Sequence, residues 1–382
     1  ERVLRLVHLL RRAGHRARTA APVLVVEALD RVRRMLDDPA TADLLDAIDD
    51  VLLDATTVVV AGVRQPAALP ARLTQAFPHR WVHHLGDPHE AGVLGVAAAN
   101  VPGPHPGRVF VAAAGLTGQV VAPTEGAPAA STAERMAPVL HLPRLLDRAA
   151  LPRATSAGGL VVLPIGVGVE DGEPAALQLA GGDHLTVAGP ARSGRTTTLA
   201  TLAAAWVEAH HTGAVVAITP RPPSLLAALA GSVHDRRDAA GAADGVRAAL
   251  AGGRPCLLVV DDADLVDDPT GALAALTAGV TSPAGAELPL TIAVAGRADT
   301  LRATYGHWTT AVRRSRTGLL LAGCSDLDGD VLGVVLPRRH PVRARPGLAW
   351  LVRAGGPTLV QVAVTPAPAD GHAPPARAAT AQ

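Results

Sequence analysis

An α/β fold with a mainly parallel sheet is predicted by three observations. Five short runs, His184–Ala188, Ala214–Thr219, Cys256–Val260, Leu290–Ala295 and Gly318–Ala322, are almost purely apolar. Such runs suit parallel strands covered on both faces. Helical patterns lie between them, at Arg195–His210 and Gly271–Gly279, giving a βαβ series. Finally, the chain repeats itself, so the same fold is expected more than once.

The repeat is read in order. Val23-Leu24-Val25-Val26-Glu27-Ala28-Leu29-Asp30 matches Leu257-Leu258-Val259-Val260-Asp261-Asp262-Ala263-Asp264. At the same offset, Thr57-Val58-Val59-Val60-Ala61-Gly62 matches Thr291-Ile292-Ala293-Val294-Ala295-Gly296. Val93-Leu94-Gly95-Val96 matches Val331-Leu332-Gly333-Val334, Pro106-Gly107 matches Pro346-Gly347, and Gln119 matches Gln361. Residues 1–125 are thus expected to be the back half of one module and residues 156–366 a complete second one. Residues 126–155 read as a Pro/Ala/Thr-rich linker with a short helical piece near Leu142–Ala149. Residues 367–382 read as a low-complexity, disordered tail.

Composition bounds the function. The 382 residues suffice for two ordinary domains, and 48% apolar residues supply a sizeable core. A net charge of +1 gives no global pull toward nucleic acid or membrane, although a local basic patch stays open. All 35 basic residues are arginine, the bias of a GC-rich genome. Cys256 and Cys324 sit in apolar runs, against a disulfide framework or metal cluster and for a reducing, cytosolic compartment. His83-His84 and His210-His211 show no metal spacing. No stretch reaches the ~18 uninterrupted apolar residues of a membrane helix. The chain opens on Glu1 inside a helical pattern, so it is expected to be a fragment.

The chemistry concentrates in Gly189-Pro190-Ala191-Arg192-Ser193-Gly194-Arg195-Thr196. It reads as the phosphate loop G-x-x-x-x-G-K-[ST] with arginine in the lysine position. Two glycines let backbone N–H groups wrap a phosphate, and the Thr196 hydroxyl is placed to hold Mg²⁺. A strand precedes the loop, and a helix follows with Thr196, Thr197 and Thr198 in its first turn; helix N-termini favour anions. A plain strand–turn–helix connection is the alternative. The second piece is Leu257-Leu258-Val259-Val260-Asp261-Asp262, an apolar strand ending in two carboxylates, the Walker-B arrangement. Asp261 would hold Mg²⁺ and Asp262 would orient the attacking water; a buried strand with a polar helix cap is the alternative. Guanidinium is planar and bulkier than an ammonium, so Arg195 is expected to keep phosphate binding and to weaken hydrolysis. In the partial copy Glu27-Ala28 stands at the Walker-B position, so the second carboxylate is lost. Arg297 follows the strand after Walker B, where a γ-phosphate sensor is often found. Arg313-Arg314-Ser315-Arg316 could serve a neighbouring subunit's site, although a solvated helix end is the preferred reading.

These motifs, with the closing Arg345-Pro346-Gly347 and Leu359-Val360-Gln361-Val362-Ala363, resemble the FtsK/SpoIIIE family of motor ATPases. Within it, the tandem modules are most similar to actinobacterial multi-module members, among them the EccC-type ATPases of type VII secretion and proteins carrying forkhead-associated domains. The resemblance implies RecA-like P-loop modules, ATP with Mg²⁺, and hexameric rings that move double-stranded DNA or a secreted protein. It places nucleotide contacts on Gly189, Pro190, Ala191, Arg192, Ser193, Gly194, Arg195, Thr196, Thr197 and Arg297, metal binding on Thr196 and Asp261, and catalysis on Asp262 and Arg195. It also implies attachment to a membrane complex through a missing N-terminal region. The family lysine is absent, which puts hydrolysis in doubt. No winged-helix domain follows the last module, which tilts the expectation from DNA pumping toward secretion. A nucleotide-locked pseudo-ATPase that docks substrate or holds a ring together is the third reading.

Overall fold

The structure, a computed structural model, describes residues 2–16, 21–39, 41–122, 142–220, 225–280, 289–304, 306–321, 326–337, 344–354 and 356–366. The chain divides into two compact units, Glu1–His141 and Leu142–Gln382.

The first unit contains α1 (Arg2–Arg16), β1 (Val23–Val26), α2 (Leu29–Leu36), α3 (Ala42–Leu53), β2 (Val58–Ala61), α4 (Ala71–Ala76), β3 (Trp81–Val82), β4 (Arg108–Val111) and β5 (Leu116–Gln119). β1 and β2 pair in parallel, and β3–β4–β5 form an antiparallel sheet. The helices cover one face of β1–β2: Leu29, Leu52 and Leu73 pack there against Leu24, Val26, Val59 and Ala61.

The second unit begins with β6 (Thr155–Ala157), β7 (Leu160–Gly168), β8 (Pro174–Leu179) and β9 (Leu185–Ala188). The α/β series follows: α5 (Arg195–Ala209), β10 (Ala214–Ile218), α6 (Leu225–Leu229), β11 (Ser232–His234), α7 (Ala239–Ala251), β12 (Cys256–Val260), α8 (Ala272–Val280) and β13 (Leu290–Gly296). It closes with α9 (Ala298–Ala303), α10 (Thr309–Arg313), β14 (Gly318–Leu321), β15 (Leu348–Arg353) and β16 (Gly356–Val362). The strands form one sheet in the order β11-β10-β12-β13-β9-β14-β15-β16-β7-β6, with β8 on β7. From β11 to β14 all pairs are parallel; from β14 onward they are antiparallel.

All five apolar runs read from the sequence are strands of the parallel half. Their unbroken hydrophobicity has a direct cause. On β12, Leu257 and Val259 meet Leu199, Leu202 and Trp206 of α5, whereas Leu258 and Val260 meet Val246 of α7 and Leu273 of α8 on the opposite face. The antiparallel extension is not anticipated by the sequence reading. Pro164 and a register shift between Pro164 and Gly166 break the pattern of β7.

Residues 142–155, read from composition as linker, belong to the second unit. Leu146, Leu151 and Ala154 are buried there. Arg148 pairs with Glu208 of α5, and Glu208 also accepts from the Ala154 N–H at 3.1 Å. The expected helical piece near Leu142–Ala149 is a single 3-10 turn at Arg148–Ala150, capped by the Asp147 carboxylate on Ala149 N–H at 2.8 Å. The expected tail and Cys324 lie outside the described residues.

The segments that match in sequence carry the same local devices. Gln119 Nε2 donates to Pro106 O at 2.8 Å, and Gln361 Nε2 to Pro346 O at 3.1 Å. Val120 N–H meets Gly107 O at 2.8 Å, and Val362 N–H meets Gly347 O at 2.7 Å. Gly107 and Gly347 have φ of +75° and +76°, which requires glycine at both turns.

One buried group ties stability to pH. His184, fully buried ahead of β9, accepts the Ile292 N–H on Nδ1 at 3.3 Å. Burial lowers its pKa to about 4, outweighing the upward pull of Asp183. The folded protein therefore holds the neutral ring while the unfolded chain protonates below pH 6.5. Stability is expected to fall from pH 6.5 to about 4, by up to about 3 kcal/mol, and to stay level below. Urea unfolding of wild type and His184→Gln across this window measures the difference; parallel profiles would disprove it.

Candidate functional site

The site lies where β9, β13 and β12 end together. Register pairs Ala188 with Gly296 and Val260 with Val294. In open α/β sheets this carboxyl edge is where ligands bind.

The loop leaves β9 at Gly189, and only glycine fits. A Cβ there would lie 2.6 Å from Ser193 Oγ and 2.9 Å from Leu321 Cβ on β14. The turn then uses left-handed backbone at Arg192 (φ +62°) and Gly194 (φ +99°). Gly194 caps α5 without a side chain, and the first helical N–H bonded to a carbonyl is that of Thr198, on Gly194 O at 2.9 Å. The N–H groups of Arg195, Thr196 and Thr197 are thus left for an anion, at the positive end of the helix. Ser193 Oγ is buried without a hydrogen-bond partner among the described residues. These features fit a phosphate group.

Two contacts join the loop to the end of β12. Thr196 Oγ1 donates to Asp261 Oδ2 at 2.7 Å. Arg195 Nη1 donates to Gly189 O at 2.9 Å and Nη2 to Asp262 Oδ1 at 2.5 Å. Asp261 is 4% exposed. Burial pushes its carboxyl above the ordinary range, and the Thr196 hydrogen bond opposes that rise. Asp262 has left-handed backbone (φ +46°), which turns the chain out of the sheet. A hydroxyl beside a carboxylate, with room for waters and phosphate oxygens, is a donor set that suits Mg²⁺. No cluster of three or more His, Cys, Asp or Glu side chains suited to a metal exists among the described residues.

The structure brings Gly189, Ser193, Gly194, Arg195, Thr196, Asp261 and Asp262 together. Pro190 and Ala191 form the outer rim of the loop, and both are exposed. Arg192, Ser193 and Thr197 also line a recess of about 180 Å³, with Arg144, Gln361 and Val362 on its other side. Motif reading missed this recess, because its far wall comes from β16 and from the stretch read as linker.

Arg297 is not drawn into the cluster. Its guanidinium forks onto Asp299 at 2.7 and 3.1 Å and holds that carboxyl near pKa 2. Arg313 donates to Thr304 O and Thr310 Oγ1 at 3.2 and 3.1 Å, while Arg314 and Arg316 are exposed. The expected solvated helix end describes the latter pair. Cys256 is inert: burial pushes its thiol up to about 12. His83, His84 and His210 each turn Nδ1 to a backbone carbonyl.

Comparison with solved structures places this geometry on a known fold. ATPases 2 and 3 of EccC from Thermomonospora curvata, in complex with a signal sequence peptide, are 19% identical with a TM-score of 0.60, covering 95% of this chain and 76% of that one. ATPases 2 and 3 of EssC from Geobacillus thermodenitrificans are 15% identical with a TM-score of 0.65, covering 94% and 74%. The cytoplasmic domain of the type VII secretion ATPase EccC from T. curvata is 22% identical with a TM-score of 0.56; the match covers 93% of this chain and 46% of that domain. No family model matches the chain, and neither does any curated protein. The fold is therefore that of RecA-like P-loop ATPase domains, as the motifs lead one to expect. Among the described residues no helix is long and apolar enough to cross a membrane.

Proposed function

We propose that residues 156–366 form an ATP- and Mg²⁺-binding module of an FtsK/SpoIIIE-type translocase, and that residues 1–125 are the degenerate remainder of a sister module in tandem. The observation that carries this is the joining of the loop to the Walker-B carboxylates: Thr196 to Asp261 and Arg195 to Asp262. The α5 N-terminus and Ser193 hold the phosphates, and Arg195 is the cation facing them. The recess beside Arg192, Thr197 and Gln361 takes the nucleoside end. Bound Mg²⁺ would supply charge neutralisation at the terminal phosphates. Thr196 and Asp261 would hold it, and Asp262 would orient the attacking water.

For cargo we favour a secreted protein over double-stranded DNA. The net charge of +1 offers little to a polyphosphate backbone, and EccC provides a precedent for binding a signal peptide. Assembly into a hexameric ring and attachment to a membrane complex belong to the same reading. The guanidinium of Arg195, planar and bulkier than the ammonium it replaces, supports weak turnover.

Titration with Mg·ATP, followed by calorimetry, tests the site. Saturable binding below about 1 mM is expected. Its absence, with the fold intact by circular dichroism, would overturn the reading. Retention of a signal-bearing peptide but not of duplex DNA at physiological salt tests the cargo.

A further inference from the structure

Arg195 serves two acceptors with one planar fork. Nη1 is committed to Gly189 O and Nη2 to Asp262 Oδ1. The two charged side chains are each 13% exposed, so solvent screens the pair little. Both partners are fixed at their backbones. Arg195 is the first residue of α5, and Asp262 is locked in left-handed backbone by the turn that returns Leu265 N–H to its carbonyl at 2.8 Å. What can move is the long arginine side chain. The direction it would move is toward the phosphate cradle beside it.

We propose that the Arg195–Asp262 pair is a latch which a nucleoside triphosphate opens and a diphosphate leaves closed. This rests on the nucleotide reading above and adds the regulation of that site. Two acceptors compete for one side chain: of the loop's two guanidiniums only Arg195 reaches Asp262, and a terminal phosphate and the Asp262 carboxylate both need its donors. A planar guanidinium spans Gly189 O and Asp262 at a fixed spacing, which a point-charge ammonium does not reproduce. With a diphosphate, no group reaches Arg195, and Asp262 stays neutralised. With a triphosphate, Arg195 exchanges one anionic partner for another, and Asp262 is released as a free carboxylate beside the phosphate. Release of the water-orienting group is thereby tied to the presence of the bond to be cleaved.

The exchange has a measurable signature. Loss of the ion pair to Asp262 offsets the new bond from Arg195 to phosphate, so wild type should bind ATP and ADP with affinities within about threefold of each other. Asp262→Asn removes the competitor. It should tighten ATP by about tenfold or more and change ADP by less than about twofold. Removing a negative charge near the γ-phosphate would also tighten ATP without any latch, so the cycle needs a second background. In Arg195→Ala, the further change Asp262→Asn should leave the ATP/ADP ratio within about twofold.

Calorimetric titration of the four proteins with Mg·ATP and Mg·ADP decides the matter, with circular dichroism as the check on folding. Should Asp262→Asn lose its fold, Asp262→Ala replaces it in the same cycle. An unchanged ATP/ADP ratio in Asp262→Asn would overturn the latch. So would tightening of ATP that persists in the Arg195→Ala background, since that assigns the effect to charge repulsion. Saturable binding of both nucleotides with either of these results removes the latch alone. No binding of either nucleotide by wild type removes the nucleotide reading and the latch together.

Discussion

Gly318→Ala is expected to destabilise the second unit by more than about 4 kcal/mol, a size reserved for changes the backbone cannot absorb. Gly318 opens β14 and pairs with Thr186 at the heart of β9. A Cβ there would lie 1.9 Å from Thr186 O, 2.8 Å from its C and 2.9 Å from its N. These are backbone atoms, so no rotamer change relieves the contact. Strand β9 or β14 must move, and both are buried on each face. Moving β9 displaces Gly189 and the loop that follows, so nucleotide binding should fall with stability. Gly253→Ala is the control. It has φ +68° with open space around it, and should cost only the left-handed strain of about 1–2 kcal/mol. Urea denaturation measures both; a Gly318→Ala protein within about 1 kcal/mol of wild type would show that the sheet can part there.

The sequence made the parallel half of the sheet legible because it is covered on both faces. Burial on two sides demands unbroken apolar runs, and few other structures do. The loop at Gly189 stood out because a phosphate-binding pattern needs fixed residues at fixed spacing. The pairing of Gln361 with Pro346 O was visible only as a match to Gln119 and Pro106; its purpose, to tie the glycine turn to the far strand, needed coordinates. The antiparallel extension stayed hidden for the opposite reason. β8 alternates exposed Pro174 and Gln178 with buried Ala175, Leu177 and Leu179, and β7 is interrupted by Pro164. Arg148 in the expected linker is another case. Nothing in an Ala- and Pro-rich neighbourhood reveals that its guanidinium reaches Glu208 on a helix sixty residues away. Arg297 was read as a sensor from its place after β13, and that place does not reveal that Asp299, two residues on, offers its guanidinium a bidentate acceptor. Long, flexible charged side chains choose among partners by geometry, and geometry is what a motif does not carry. Asp262 makes the same point in reverse. Its place as the second carboxylate after an apolar strand is plain from the sequence, but its engagement with Arg195 is not.

The steepest dependence of nucleotide binding should be on Mg²⁺, and Asp261→Asn should abolish most of it. The end of β12 carries two carboxylates; of the loop's two guanidiniums, Arg195 is already shared with Asp262 and Arg192 is exposed. A polyphosphate brought to this cluster without a cation meets the two carboxylates in a half-buried setting, where screening is weak. Exchange of Mg²⁺ for EDTA is therefore expected to weaken ATP binding about 100-fold, or about 2.7 kcal/mol. Asp261 is the residue through which this acts. It is the more buried of the pair, and the Thr196 hydroxyl already points at it from 2.7 Å. Asparagine keeps the shape and can still accept from Thr196, so the fold should be retained. It removes the anion that would hold the metal and one charge that repels the phosphates. The two effects push affinity in opposite directions with Mg²⁺, and only the second acts without it. Asp261→Asn should thus bind ATP more weakly than wild type in Mg²⁺ and more tightly in EDTA, shrinking the ratio from about 100 to a few-fold. Thr196→Ala loses a neutral ligand instead. It should weaken binding in Mg²⁺ and leave the EDTA value unchanged. A variant Asp261→Asn that keeps the full Mg²⁺ ratio would place the metal elsewhere and separate β12 from the chemistry of the loop.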